Sequence, residues 1–305
     1  MPPSSGIDQL AKQAAALRRL VQGGRTVLAP GVFSPFVAQM AVSLGFKAVY
    51  FSGAGFSNLL GLPDLGVVTL SEVSGAVGGI TAVVDVPVIV DADTGFGEAV
   101  NVARTVQQLK ATGAAALQIE DQVQPKKCGH LEGKELVGTE EMLKKMVTAR
   151  EASSGDILVV ARTDARAVEG LDRAVERARS YSRAGADIIF PEALESREEF
   201  VEFRSKVGIP LLANMTEFGK TPYLSAGDFE EMGYNIVIFP VTAFRAAMLG
   251  AWRALEGLKV KGTQREFLGS LMTRKEVYRL IRYDEYERMD RKAGTKARKY
   301  RPRRA

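Results

Sequence analysis

The chain has 305 residues, 46% of them hydrophobic and 25% charged, the proportions of an ordinary globular protein. No apolar stretch is long enough to span a bilayer, and there is no charged–apolar–small signal pattern at the N-terminus. A single cysteine excludes an intramolecular disulfide and CxxC metal spacings, so a cytoplasmic location away from any membrane is expected.

An amphipathic opening helix carries Leu10, Ala14, Leu17 and Val21 on one stripe. One pattern then repeats: a short apolar run ends in polar or acidic residues, and a helical segment comes next. The runs are TVLAPG (26–31), AVYFSG (48–53), VIVDAD (88–93), ALQIED (116–121), LVVARTD (158–164), DIIFPE (187–192), LLANMTE (211–217) and NIVIFP (235–240). Their nearly continuous apolar character predicts parallel strands buried on both faces. Helix punctuation agrees, with Ser34-Pro35 as a start signal and Gly45, Gly113 and Gly185 as exits.

Eight such units over about 230 residues predict an α/β fold, a (β/α)8 TIM-type barrel. A doubly wound open sheet is the competitor. The polar residues decide: Ser52, Asp91, Asp93, Glu120, Asp121, Arg162, Asp164, Glu192, Asn214 and Thr216 all fall at or near C-terminal strand ends. A barrel gathers those ends at one mouth, whereas an open sheet spreads them apart.

Beyond Pro240, Ala243–Leu255 reads as the last barrel helix, and 264–290 as a further helical region with a stripe at Val277, Leu280 and Ile281. We therefore expect one domain, 1–290, a barrel with a C-terminal helical extension. The formal charge of +5 belongs to the C-terminal segment 291–305, which contains eight Lys/Arg and no acid. That segment lacks apolar periodicity and is expected to be a flexible, solvated tail. A non-catalytic barrel that binds RNA through this tail is the reading from a different class. The body shows no basic stripe with interleaved aromatics, so nucleic acid is not an expected partner.

The only cysteine and the only histidine stand two positions apart, in Lys126-Lys127-Cys128-Gly129-His130. Neighbouring ammonium groups favour a thiolate, so Cys128 is expected to titrate nearer neutrality than a free thiol, as a proton donor or acceptor. Gly129 and Gly133 suggest that 124–136 forms a mobile lid. Asp91, Asp93, Glu120 and Asp121 gather carboxylates that need a cation or a shared proton. Without a Cys/His ligand set, oxygen ligation favours Mg²⁺ or Mn²⁺ over Zn²⁺. The glycine-rich stretch from Gly53 offers backbone amides to a carboxylate, and Arg162 and Arg245 add bidentate capture, unless each pairs with the acidic rim instead. Metal, carboxylate-binding donors and one thiol together suit aldol-type carbon–carbon cleavage of a 2-hydroxy acid.

From about residue 10 to 290 the chain also resembles the isocitrate lyase and phosphoenolpyruvate mutase superfamily, and within it the 2-methylisocitrate lyase branch. The resemblance rests on SGAG (52–55), GLPDLG (61–66), VDADTGFG (90–97), IEDQ (119–122), KKCGH (126–130), ARTDA (161–165), FPEA (190–193), ANMTEFGKTP (213–222) and TAFRA (242–246). It implies C-terminal helices exchanged between subunits of a homotetramer, and a tricarboxylate substrate cleaved to pyruvate and succinate in propionate catabolism. It implies Asp91 as the direct Mg²⁺ ligand, with Asp93 and Glu120 holding metal-bound waters. Ser52, Gly53, Ala54 and Arg162 would take a substrate carboxylate. Gly129, His130, Glu192, Asn214, Thr216, Arg245 and Arg274 would complete recognition. Cys128 would protonate the succinate-side carbanion, with Lys126 lowering its pKa, and Tyr50 or, alternatively, Asp64 would deprotonate the hydroxyl. HLEGKEL (130–136) resembles the carboxyphosphonoenolpyruvate mutase branch. Phosphonomutase or oxaloacetate decarboxylase chemistry on the same barrel is therefore the enzymatic alternative.

Overall fold

The computed structural model describes residues 6–297 and 300. Eight strands coincide with the eight apolar runs: β1 (Val27–Val32), β2 (Val49–Phe51), β3 (Val88–Asp91), β4 (Ala116–Glu120), β5 (Leu158–Thr163), β6 (Ile188–Pro191), β7 (Leu212–Asn214) and β8 (Ile236–Phe239). Helix α1 (Gly6–Gln22) precedes them. The crossovers carry α2 (Pro35–Ser43), α3 (Gly53–Leu59), α4 (Leu70–Thr81), α5 (Ala99–Ala111), α6 (Thr139–Ser153), α7 (Ala165–Glu169), α8 (Leu171–Arg183), α9 (Arg197–Lys206) and α10 (Ala226–Glu231). Ser34 caps α2 by accepting from the Val37 amide, and Pro35 occupies the first turn, where its missing N–H costs nothing.

All ladders are parallel, in the order β6-β5-β4-β3-β2-β1-β8-β7. The two ends meet at a single bridge, Ile189 to Leu211, so the barrel is nearly closed. Strand alternation sorts the core into two shells. Val49, Phe51, Val88, Val90, Leu117 and Val159 face the surrounding helices. Tyr50, Ile89, Ala116, Val160, Phe190 and Ile238 fill the barrel interior. Ala14, Leu17 and Val21 of α1 join that inner shell, Leu17 and Val21 each contributing about 1.5–3 kcal/mol by burial.

The chain divides into two compact units, Met1–Ala247 and Met248–Ala305, with α11 (Thr242–Lys261) running through the boundary. The first unit is the barrel. The second continues α11 into a 3-10 turn (Arg265–Ser270), α12 (Arg274–Leu280) and α13 (Tyr283–Ala297). A capping box between Thr273 and Glu276 starts α12. Val277, Leu280 and Ile281 are only half-buried, and Trp252, Leu255, Leu268 and Met272 are exposed. The segment expected to be a flexible tail differs from expectation at its start. Helix α13 extends through Ala297, supported by the Arg291–Glu287 pair one turn apart (3.2 Å) and by the helix-favouring Lys292, Ala293, Lys296 and Ala297 on either side of Gly294 and Thr295. Residues 298, 299 and 301–305 of that segment, and the side chain of Leu10, lie outside the described residues.

Candidate active site

The inner shell runs on past the strand ends, and the same alternation aims successive polar side chains into the mouth. Tyr50 leads to Ser52, Ile89 to Asp91, Gln118 to Glu120, Val160 to Arg162, Phe190 to Glu192 and Leu212 to Asn214. They line or back a cavity of about 280 Å³, which also reaches Asp64, Lys126, Cys128, Gly129, His130, Thr216 and Arg245. Residues drawn from the ends of the six strands β2–β7 and from the 124–136 loop, with Asp64 and Arg245, are thus brought together. Arg274 belongs to the second unit, at the start of α12.

Asp91 sits at the back of the cavity with its carboxylate lightly held. Its Oδ1 accepts from the Asp93 amide and from Gln118 Nε2, both at 3.2 Å, and its Oδ2 accepts from the Gly53 amide at 3.3 Å. Asp93 takes a left-handed backbone (φ 47°), which turns the chain back over the strand end. Burial, opposed by Lys126, pushes the Asp93 carboxyl up to about 6. Burial also pushes Glu120 well above the usual carboxylate range, despite Arg162. Glu120 Oε1 is buried without a hydrogen-bond partner. Among the described residues no three His, Cys, Asp or Glu side chains form a ready metal cluster. Loosely held, costly carboxylates and an orphan oxygen nevertheless fit a hard divalent ion that brings its own waters.

Lys126 supplies positive charge to this acidic cluster. Its Nζ pairs with Asp64 and lies 2.9 Å from Asp93 Oδ1. Burial would lower its pKa, but Asp93, Glu120 and Asp64 hold it well above normal. Lys127 Nζ turns to the Gly133 carbonyl (2.6 Å). Neither ammonium pairs with the thiol, which corrects the expected pKa of Cys128. Burial pushes the thiol up, and Glu192 adds to this, against the His130 amide and Arg162. The sequence neighbours alternate in direction along the loop, so proximity in sequence did not become proximity in charge.

Tyr50 donates its hydroxyl to Gln118 Oε1 at 2.8 Å. Burial, then Asp91, push its phenol well above normal. Gln118 was hidden inside an apolar run, yet it joins Tyr50 to Asp91. The signal was its position two residues before Glu120, which places both on the inner face.

Arg162 is shared among three carboxylates: Asp164 (2.9 Å), Glu120 (3.3 Å) and Glu192 (3.2 Å). It also lies over the Phe190 ring, 5.2 Å from its centre. Burial would raise Glu192, but Arg162, then His130 and Lys134, hold it well below the carboxylate range. Asn214 Nδ2 donates to the same carboxylate at 3.2 Å. The Lys220 amide donates to His130 Nδ1 at 3.0 Å, which assigns the ring proton to Nε2, facing Glu192 Oε1 at 3.2 Å. Two glycines allow these close approaches. A Cβ on Gly129 would meet the Glu192 side chain and lie 2.5 Å from Arg162 Nη2, and one on Gly219 would lie 2.6 Å from His130 Nδ1.

Ser52 caps α3, accepting from the Gly55 amide at 3.1 Å. Arg245 Nη1 donates to the Glu217 carbonyl (2.7 Å) and carboxylate (3.2 Å) and covers the Phe218 ring. Both arginines are therefore engaged with the acidic rim. Phe190, Ile238 and Pro240 form an apolar wall, to which Val241 and Phe244, unnoticed in the sequence, add.

Proteins similar in sequence and fold match nearly the whole chain. The family model for phosphoenolpyruvate phosphomutase matches residues 17–259. A 2-methylisocitrate lyase of Aeropyrum pernix is 56% identical over 290 residues, 95% of this chain and 94% of its own. Among solved structures, a 2,3-dimethylmalate lyase of the PEP mutase/isocitrate lyase superfamily superposes with a TM-score of 0.87 at 40% identity, covering 92% of this chain and 95% of its own. A phosphonopyruvate hydrolase in complex with oxalate and Mg²⁺ gives 0.82 at 32% identity, covering 91% and 97%. The chain is thus a member of the phosphoenolpyruvate phosphomutase family, an enzyme family built on this barrel.

Proposed function

We propose that this enzyme cleaves 2-methylisocitrate to pyruvate and succinate with Mg²⁺, Mn²⁺ being the alternative ion. The observation that carries the reading is the convergence of Cys128, Arg162, Asp91 and Glu192 on one cavity with an apolar wall, in a chain 56% identical to a 2-methylisocitrate lyase. Asp91 would hold the ion directly, and Asp93 and Glu120 through water. Such an ion would supply Lewis-acid stabilisation of the negative charge that develops on substrate oxygens during cleavage. The Mg²⁺ of the phosphonopyruvate hydrolase complex supports a divalent ion on this fold.

The protein's own groups do the rest. Arg162, with Ser52 and the Gly53 and Ala54 amides, receives a substrate carboxylate, which must displace part of the present carboxylate pairing. His130, Glu192, Asn214, Thr216 and Arg245 orient the remainder. Asp64 takes the hydroxyl proton, the carbon–carbon bond breaks, and the electron pair stays on the succinate-side carbon until Cys128 donates its proton there. Tyr50 is the second choice as base, because its hydroxyl is already engaged in donating to Gln118 Oε1. A raised thiol suits Cys128, since the donor form is then complete at neutral pH. The wall of Phe190, Ile238 and Pro240 faces the extra methyl, worth about 1–3 kcal/mol of preference over isocitrate.

Among the described residues no helix is long and apolar enough to cross a membrane. We infer a cytoplasmic homotetramer serving propionate breakdown, with the exposed apolar residues of the second unit buried between subunits. Incubation with 2-methylisocitrate and Mg²⁺, followed by a pyruvate assay, tests the reaction. No pyruvate, or pyruvate from oxaloacetate instead, overturns it. Sedimentation at the monomer mass would overturn the tetramer.

A further inference from the structure

We propose that Lys134 is a positioning residue, which fixes the Cys128 loop to Asp164, the same carboxylate that aligns Arg162. Lys134 and Asp164 are 1% and 0% exposed at their side chains, and Lys134 Nζ lies 2.9 Å from Asp164 Oδ1. An ammonium so fully withdrawn from water is costly unless it is paired and hydrogen-bonded. Its second acceptor is the carbonyl of Gly129, the residue after Cys128. Lys134 does not line the cavity, so it reaches the chemistry only through the loop.

Asp164 is itself rigidly held. Its amide donates to Asp121 Oδ1 at 2.9 Å, and Asp121 Oδ2 is fixed by Thr163 (2.8 Å) and Tyr181 (2.9 Å). From that anchor Oδ2 accepts from Arg162 Nε (2.9 Å), while Oδ1 takes both Arg162 Nη2 (3.2 Å) and Lys134. One carboxylate thus sets the substrate-binding guanidinium and the loop that carries the thiol. The close packing of Gly129 on Arg162 makes the two placements interdependent.

The proposal rests on the lyase reading for its kinetics but not for its loop readout. Lys134→Met, Asp164→Asn and the double variant are compared with wild type in Mg²⁺. The readouts are alkylation of Cys128 by iodoacetamide, pyruvate formation, and melting temperature. For Lys134→Met we expect alkylation to quicken by about fivefold or more as the loop opens locally. Its kcat should fall about a hundredfold through misplacement of the thiol, with KM nearly unchanged. Asp164→Asn should quicken alkylation similarly and raise KM as well, and the double variant should alkylate no faster than Asp164→Asn. Unchanged alkylation in Lys134→Met overturns the proposal, as does a double variant whose effects multiply. If Lys134→Met fails to fold, Lys134→Gln, which keeps a donor, carries the same alkylation test. If wild type makes no pyruvate, the lyase reading fails alone, and alkylation still decides the role of Lys134.

Discussion

The ammonium of Lys126 lies 2.9 Å from the carboxylate of Asp93, so the charge two residues before Cys128 serves the acidic cluster and not the thiol. Cys128 is left to burial, which keeps it protonated. We expect its thiolate to form with a midpoint above the ordinary 9.0, tracked as the pH dependence of iodoacetamide alkylation. Because the protonated form is the donor, this part of the activity persists through neutral pH. It is lost only as pH rises through the raised pKa. A midpoint near neutrality would restore the lysine-activated thiolate.

Cys128→Ser should retain substrate binding while turnover falls about 10²–10⁴-fold, the usual worth of a positioned proton donor. A hydroxyl is a far weaker acid than a thiol, so near-normal kcat would refute the donor role.

Asp91→Ala should remove both activity and the response to Mg²⁺, read as the rise in melting temperature when the ion is added. If Mg²⁺ still stabilises or activates the variant, the direct ligand lies elsewhere.

Gly129→Ala tests the close approach of the loop to the floor of the site. A methyl group there would collide with Glu192 and Arg162, and Gly129 has no left-handed φ to confuse the result. Displacing the adjacent thiol by about 1 Å should cost about a hundredfold in kcat. Wild-type kinetics would show that the loop closes differently during turnover.

Ending the chain after Ala297 should leave pyruvate formation intact, as expected of a basic segment at a chain terminus. A large loss would assign the last eight residues a role in catalysis or assembly.

The barrel was legible because its strands are buried on both faces and so read as unbroken apolar runs, each closed by polar residues. That gave the eight strands of the observed sheet to within three residues at either end. The site residues were legible for a related reason. Asp91, Glu120, Arg162, Glu192 and Asn214 stand two residues beyond an inner-shell side chain, and period-two alternation puts them in the mouth. Gln118 was missed because one polar residue within an apolar run stands out only when it is counted back two residues from Glu120. Lys134 was missed because nothing in its immediate sequence distinguishes a buried lysine from a solvated one.

The sequence by itself determined the architecture and which polar side chains stand at the strand ends, since these come from local periodicity and residue type. Only the tertiary structure decided how the charges are paired. Asp64 reaches Lys126 across 62 residues, Lys134 reaches Asp164 across 30, and Cys128 receives neither of its neighbouring ammonium groups. Coulomb energies and desolvation depend on distances through space that loops set late, and an order of residues along the chain does not contain them.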